Sequence, residues 1–399
     1  MLFETLNGML RRDMLKTARL LLVFVAVALF NGCCGPDSRP HAGQSPPPVH
    51  LNLATFDSGF GGFFTAKGMS DQAPDLLKKY NVDISVTHYG DTKNSPYGNK
   101  PPAEIARLTG LGVEKALGDG AGVVVIACNT ASTQHPAVIE SIKQKYPGKE
   151  QYVLSVITPT INAIQERLDT RLLTNDEATL AIFATPATVK SMTYPVKLAD
   201  IYQGKLENDA LQEMRQNDWK DVSRQVSNFF SRSLIRLPNK KTIFIYQFAP
   251  GNWVSMIEEG APDDVKQRIV QGDIRQFLER LSPEHALDIV GLFCTHYPVF
   301  KNIISKEVMA SKYAASSTHF VEQGDFAAKY AYDAIFSQYM DQGRNIPITE
   351  EELKRLMEKA KPRIVISGDN VPQTNNLVRT IFPGLMDVIV VKESFSSTP

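Results

Sequence analysis

Two short motifs, far apart in the chain, constrain its fold more than any other feature: Cys128-Asn129-Thr130 and Cys294-Thr295-His296. Each closes an apolar run, Val123-Val124-Val125-Ile126-Ala127 in the first case and Ile289-Val290-Gly291-Leu292-Phe293 in the second. A short apolar run that stops at small polar residues reads as a buried parallel strand delivering its last side chains to a rim. In open α/β sheets that rim, at the carboxyl ends of the strands, is where ligands bind. The chain has four cysteines, and the other two, Cys33 and Cys34, sit together near the N-terminus. The body therefore carries two thiols, both in the same kind of position. Matched thiols suit an enzyme that removes a proton from one face of a carbon and returns it on the other.

A chain of 399 residues fits two domains of ordinary size. The formal net charge is zero, so no global field favours nucleic acid or an anionic membrane surface. Cys-x-x-Cys, His-Glu-x-x-His and Gly-Lys-Ser/Thr patterns are missing from the sequence, which argues against the common metal and nucleotide machinery. Strands are expected at 51–56, 84–89 and 123–127, with a helix over 102–117. Gly110 and Gly112 interrupt that helical pattern. A second set of elements is expected from about residue 152, with strands at 153–157, 179–183, 243–247 and 289–293 and a helix over 160–168. Residues 363–367 and 387–391 read as strands again. Strands alternating with helices predict an α/β fold with mainly parallel sheets. The stretch between Leu198 and Lys241, with Trp219, Phe229 and Phe230, reads as polar and helical.

The N-terminus is a different material. Arg11, Arg12, Lys16 and Arg19 precede an apolar stretch, 20–30, that ends in Asn31-Gly32-Cys33. A basic region, a short apolar core and small residues make an export signal. The stretch is too short for an ordinary membrane span. A cysteine at this point resembles the lipobox of bacterial lipoproteins, in which that cysteine is acylated, although Phe30 and Asn31 depart from the usual pattern. The expectation is an export and lipoprotein signal over 1–33, lipidated at Cys33, and a Pro- and Ser-rich tether over 34–49. The body would then lie in the periplasm, anchored by lipid or secreted without it.

Three further motifs join the thiols. Asp57-Ser58-Gly59-Phe60-Gly61-Gly62 follows a strand and precedes a helix. Its glycines permit a sharp turn and bring backbone N–H groups close to an anion. Asp57, at the strand end, is placed to orient or polarise a thiol. Gly90-Asp91-Thr92 and Pro96-Tyr97-Gly98 read as a turn that presents Tyr97 and the Gly98 amide to a polar ligand.

With Cys128-Asn129-Thr130-Ala131 and Cys294-Thr295-His296-Tyr297-Pro298, these motifs stand in the order found in the aspartate/glutamate racemase family, and the chain resembles its glutamate branch. Thr185-Pro186-Ala187-Thr188-Val189-Lys190-Ser191, Trp253-Val254 and Ile257-Glu258-Glu259-Gly260 resemble further segments of that family. The resemblance implies two parallel-sheet α/β domains of similar topology with the active site in the cleft between them. It places 50–152 and 318–399 in the first domain and 153–317 in the second, with an insertion near 200–240. It implies a cofactor-independent racemase that interconverts L- and D-glutamate, with Cys128 and Cys294 as the acid/base thiols. Asp57 would assist Cys128, and His296 would assist Cys294. Ser58, Asp91, Tyr97, Gly98, Asn129, Thr130, Thr188 and Thr295 would hold the substrate.

The expected partner is a small amino acid rather than nucleic acid, and a homodimer is left open. Aspartate or another amino acid is the alternative substrate, and an amino-acid-binding lipoprotein without catalysis is the alternative class. Two departures stand out. Family members are typically cytoplasmic and feed cell-wall (peptidoglycan) precursor synthesis, whereas an exported chain would meet an oxidising compartment that acts on paired thiols. Ala249 also stands where the family usually has a cysteine before Pro250.

Overall fold

The structure, a computed structural model, describes residues 48–336, 347–382 and 388–395. The expected signal, the tether as far as residue 47, Cys33 and Cys34 lie outside the described residues. In chain order the described strands are β1 (Val49–Asp57), β2 (Val82–Gly90), β3 (Val123–Ile126), β4 (Val153–Ser155), β5 (Glu177–Ala184), β6 (Lys205–Asn208) and β7 (Gln212–Asn217). They continue with β8 (Gln225–Arg236), β9 (Thr242–Ala249), β10 (Leu287–Phe293), β11 (Ala314–Val321), β12 (Arg363–Ile366) and β13 (Val390–Lys392). They form two sheets. The first runs β13-β12-β2-β1-β3-β4 and is parallel throughout. The second runs β11-β10-β5-β9-β8-β6. Its β11, β10, β5 and β9 are parallel, and β8 turns antiparallel to β9.

Helices cover both faces of each sheet, and this explains the unbroken apolar runs. In the first sheet Leu53, Val86 and Val125 pack against the helices Phe63–Lys79 and Gly324–Phe336. On the opposite face Phe56, Val124 and Ile126 meet the helices Pro102–Gly118 and His135–Lys145. In the second sheet Phe183, Tyr246 and Leu292 face the helices Asp263–Leu278 and Lys301–Met309. Its other face meets Ile157–Thr174 and Thr193–Tyr202. Strands covered on both faces need β-branched, apolar residues at every position, which is what Val123–Ile126 supplies. Each such side chain, fully buried, stabilises the fold by roughly 1.5–3 kcal/mol. Gly112, which breaks the helical pattern in sequence, lets the helix lie on the ring of Phe56: a Cβ there would overlap the ring atoms.

Three expectations need correction. Residues 153–155 pair with β3 and end the first sheet, rather than opening the second, and the helix then starts at Ile157. Residues 318–321 belong to β11, on the edge of the second sheet. Beyond Tyr202 the insertion is not helical. It forms β6, β7 and β8, with β6 and β7 lying end to end along one edge of β8. The half-buried pattern of β8, with Phe230, Leu234 and Ile235 packed or half-packed and Arg232 and Arg236 exposed, suits a strand that covers a sheet edge.

Candidate active site

The chain order within each sheet creates a place where the connections leave in opposite directions. In the first sheet it lies between β1 and β3, because β1 connects onward to β2 on its other side. In the second it lies between β5 and β10, because β5 connects onward toward β9. Such switch points, at the carboxyl ends of the strands, open a crevice for ligands. Cys128 follows β3 and Cys294 follows β10, so both thiols stand at equivalent switch points. Both are buried, both are free, and both line one cleft of about 650 Å³.

Ser58, Tyr97, Gly98, Asn129, Thr130, Thr295 and His296 line the same cleft. Asp57, Asp91 and Thr188 stand one layer behind it. Asp57 Oδ1 accepts the Gly59 N–H at 2.8 Å, and Oδ2 accepts the Thr295 hydroxyl at 3.0 Å. Burial raises the Asp57 carboxyl, with the positive charge of His296 opposing. Asp91 does not face the cleft. It accepts the Tyr97 hydroxyl at 2.6 Å, the Asn94 amide at 3.0 Å and the Ser367 hydroxyl at 2.5 Å. Its work in the free protein is to hold the loop that presents Tyr97 and Gly98. Asn129 is held from behind by Tyr194 and Gln323.

The surroundings of the two sulfurs differ. Cys128 Sγ accepts the Ala131 N–H at 3.5 Å and lies 3.6 Å from Ser58 Oγ. Burial, and then the negative charge of Asp57, push this thiol up to about 12. Cys294 Sγ lies 3.8 Å from His296 Nδ1, and His296 Nε2 lies 2.7 Å from Glu258 Oε1. Burial opposes a charged imidazole, but hydrogen bonds to Cys294 and Glu258 and the charge of Glu258 raise His296 well above its ordinary value. Glu258 is lowered in turn: burial works against it, and the hydrogen bond and charge of His296 prevail. Glu258 Oε1 also accepts the Phe60 N–H at 3.1 Å, which ties the glycine-rich turn to the second sheet.

Three residues that the sequence reading did not place in the site belong to its frame. Glu258 is one. Thr185 lines the cleft and caps the helix Pro186–Lys190, and its hydroxyl meets Thr130 at 2.6 Å and Thr188 at 3.0 Å. His88, buried and lowered to about 4 chiefly by that burial, is a neutral ring. Its Nδ1 faces the Thr55 hydroxyl at 2.9 Å and its Nε2 faces the Gly59 carbonyl at 3.1 Å, so it braces the turn after β1. Gly61 permits a close approach of the two halves: a Cβ would overlap Thr295 Oγ1 and come within 2.8 Å of His296 Cε1.

The arrangement offers two sulfurs, one from each half, on a cleft lined by hydroxyl and amide groups. This suits proton exchange at the α-carbon of a small amino acid.

No family model matches the chain. In sequence it is similar to the glutamate racemase of Phenylobacterium zucineum, 24% identical over 351 residues, which covers 84% of this chain and 98% of that protein. A stronger local likeness, 33% over 152 residues, links it to the glutamate racemase of Paracoccus denitrificans; it covers 37% of this chain and about half, 52%, of that relative. In fold it is similar to glutamate racemase from Francisella tularensis, solved in complex with D-glutamate. That likeness has a TM-score of 0.57 at 18% identity and covers 87% of this chain and 99% of the other. The expected α/β fold of two parallel-sheet halves agrees with this neighbour.

Proposed function

We propose that the chain is an amino-acid racemase that interconverts L- and D-glutamate without a cofactor, using Cys128 and Cys294 as paired acid and base. The observation that carries the reading is the placement of both thiols at equivalent switch points on one cleft. The relatives named above support glutamate as the substrate.

In one direction the Cys294 thiolate takes the α-proton, and the Cys128 thiol gives its proton to the opposite face. Cys294 then holds a proton and Cys128 a thiolate, ready for the reverse conversion. An α-hydrogen is far less acidic than a thiol, so the carbanion needs help. Groups on Ser58, Asn129, Thr130 and Thr295, which line the cleft, would stabilise charge moving onto the substrate carboxylate. The high position of Cys128 makes it a proton donor in the empty cleft. The substrate ammonium, as a positive neighbour, would ease its passage to thiolate.

Circular dichroism of the soluble body, residues 36–399, should show racemisation of either glutamate enantiomer. Cys128→Ser and Cys294→Ser should keep binding and lose at least about 100-fold in turnover, within the range that general acid/base groups contribute. In D2O the wild-type enzyme should place deuterium mainly in the enantiomer formed. Racemisation at wild-type rate by either variant would overturn the two-thiol reading.

We further propose that the body is exported and tethered by an acyl chain on Cys33, outside the cytoplasm where wall precursors are made. The basic–apolar–Cys33 order and the tether that follows support this. Metabolic labelling with a fatty acid should mark the wild type and not Cys33→Ala. Equal labelling of both, or of neither, rules it out.

A further inference from the structure

The insertion changes the cleft. The turn between β7 and β8 reaches its rim, where Trp219, Lys220 and Arg224 line the same cavity as the two thiols. The turn is fixed in place. Trp219 Nε1 donates to Ser255 Oγ at 3.2 Å, Asn252 Nδ2 donates to the Asn217 carbonyl at 3.1 Å, and Lys220 Nζ pairs with Glu259 at 2.9 Å.

The charges at this mouth are unevenly satisfied. Lys220 and Glu259 neutralise each other. Asp218 Oδ1 accepts the Lys220 N–H, and Asp221 Oδ1 accepts the N–H and hydroxyl of Ser223. Asp221 feels the charge of Arg224, and its backbone carbonyl accepts the Arg224 N–H at 3.0 Å, but no hydrogen bond joins the two side chains. Arg224, from the second half, and Lys100, from the loop that presents Tyr97, both line the cleft. Among the described residues neither of their side chains has a hydrogen bond or ion pair. Arg224 feels Asp221 and Lys100 feels Glu104 only through space, so two cations without a hydrogen bond or ion pair line one mouth and can take up an anion.

The cleft also has room. Its volume of about 650 Å³ falls within the range of about 300–1,000 Å³ seen for drug-sized ligands. A free amino acid held at the thiols fills only part of it.

We propose that the inserted turn fits this cleft for α-amino acids whose side chain extends beyond that of glutamate and ends in an anion. Arg224 and Lys100 hold that far anion, while the α-carbon lies between Cys128 and Cys294. Amidation of the side-chain carboxyl by the amine of a second amino acid leaves the α-carboxylate, the ammonium and the α-hydrogen unchanged, so the two-thiol chemistry applies unaltered. The inference rests on the racemase reading above.

The test compares γ-glutamylglycine, which ends in a carboxylate, with its C-terminal amide, and uses glutamate as reference. Wild-type kcat/KM should favour the carboxylate over the amide by at least about tenfold, the scale of a charge-assisted hydrogen bond. Arg224→Gln and Lys100→Gln should each shrink that preference at least about threefold and leave glutamate turnover unchanged. Equal kcat/KM for acid and amide in the wild type overturns the inference while the racemase reading stands. So does an equal loss with all three substrates in Arg224→Gln.

If the wild type racemises none of the three, the racemase reading fails and the mouth is read by binding instead. Trp219 is the half-buried reporter there, and Trp253 is fully buried. Fluorescence quenching by the acid and not the amide, lost in Arg224→Gln, would still support the anion site. No difference between them would remove it.

Discussion

The two cysteines are chemically alike, and their neighbours separate them. Cys128 is enclosed beside the Asp57 carboxylate, which disfavours its thiolate, whereas Cys294 has the raised imidazole of His296 within 3.8 Å. Only the thiolate is nucleophilic, so alkylation reads this directly. In a Cys294→Ala background, the rate of Cys128 alkylation by iodoacetamide should climb about tenfold per pH unit from about pH 7 to pH 10. Asp57→Asn removes the second cause of the shift and should speed the reaction at any fixed pH in that range. A rate that levels off near pH 8.5, as for an ordinary thiol, would contradict the account. Both cysteines were legible in sequence because each ends a strand, and strand ends are marked locally by apolar runs. Glu258, Thr185 and His88 were not singled out. Glu258 reaches the Phe60 amide across 198 residues and His88 reaches Gly59 across 29, and no local pattern announces such meetings. Asp91 shows the opposite failure. Its motif was visible, but the sequence could not tell that Tyr97, Asn94 and Ser367 would occupy its oxygens.

Elements with one local reason to exist were read well, and those stabilised by a neighbour were not. The expected strands at 84–89 and 243–247 are the cores of β2 and β9, with a few residues added at the ends. These strands are buried on both faces, so their composition alone marks them. The insertion had no such mark. β7 reads Gln-Glu-Met-Arg-Gln-Asn and is largely exposed; it is a strand because β8 offers it a ladder from Gln212↔Phe230 to Asn217↔Gln225. Polar residues of good helix propensity then look helical in isolation, and tertiary pairing overrides the preference. The three-residue β4 had the same problem in a different form. Its apolar letters named a strand, but only pairing with β3 shows which sheet owns it. The consequence for the site is direct, because the misread insertion is the element that brings Trp219 and Arg224 to the cleft.

At the scale of the whole molecule, the two sheets meet through a small set of polar contacts around the cleft. Thr295 bonds to Asp57, Thr130 to Thr185, and Asn129 to Gln323. The Thr130–Thr185 and Asn129–Gln323 contacts join neutral groups and do not titrate. The His296–Glu258 pair is different, because it joins the second sheet to the Phe60 amide and depends on two charges. The folded-state value of His296 is raised, so its contribution is full below the unfolded value and is lost as pH rises through the folded one. The folded-state value of Glu258 is lowered, so its contribution is present above the unfolded value and is lost as pH falls through the folded one. The pair therefore stabilises most between the unfolded values of a glutamate and a histidine, about pH 4.3 to 6.5, and stays strong somewhat above that window. Glu258→Gln keeps the shape and removes the charge, which leaves His296 buried without the partner that helps hold its proton. Near pH 6 this should cost about 3–5 kcal/mol in urea unfolding. The gap between wild type and variant should narrow as pH falls below about 4.3, where the unfolded carboxylate takes up a proton that the folded one resists. It should narrow again in alkali, where the wild-type His296 gives up its proton and the pair loses its charge. A gap that stays constant from about pH 3 to pH 8 would mean that Glu258 acts by packing and not by charge.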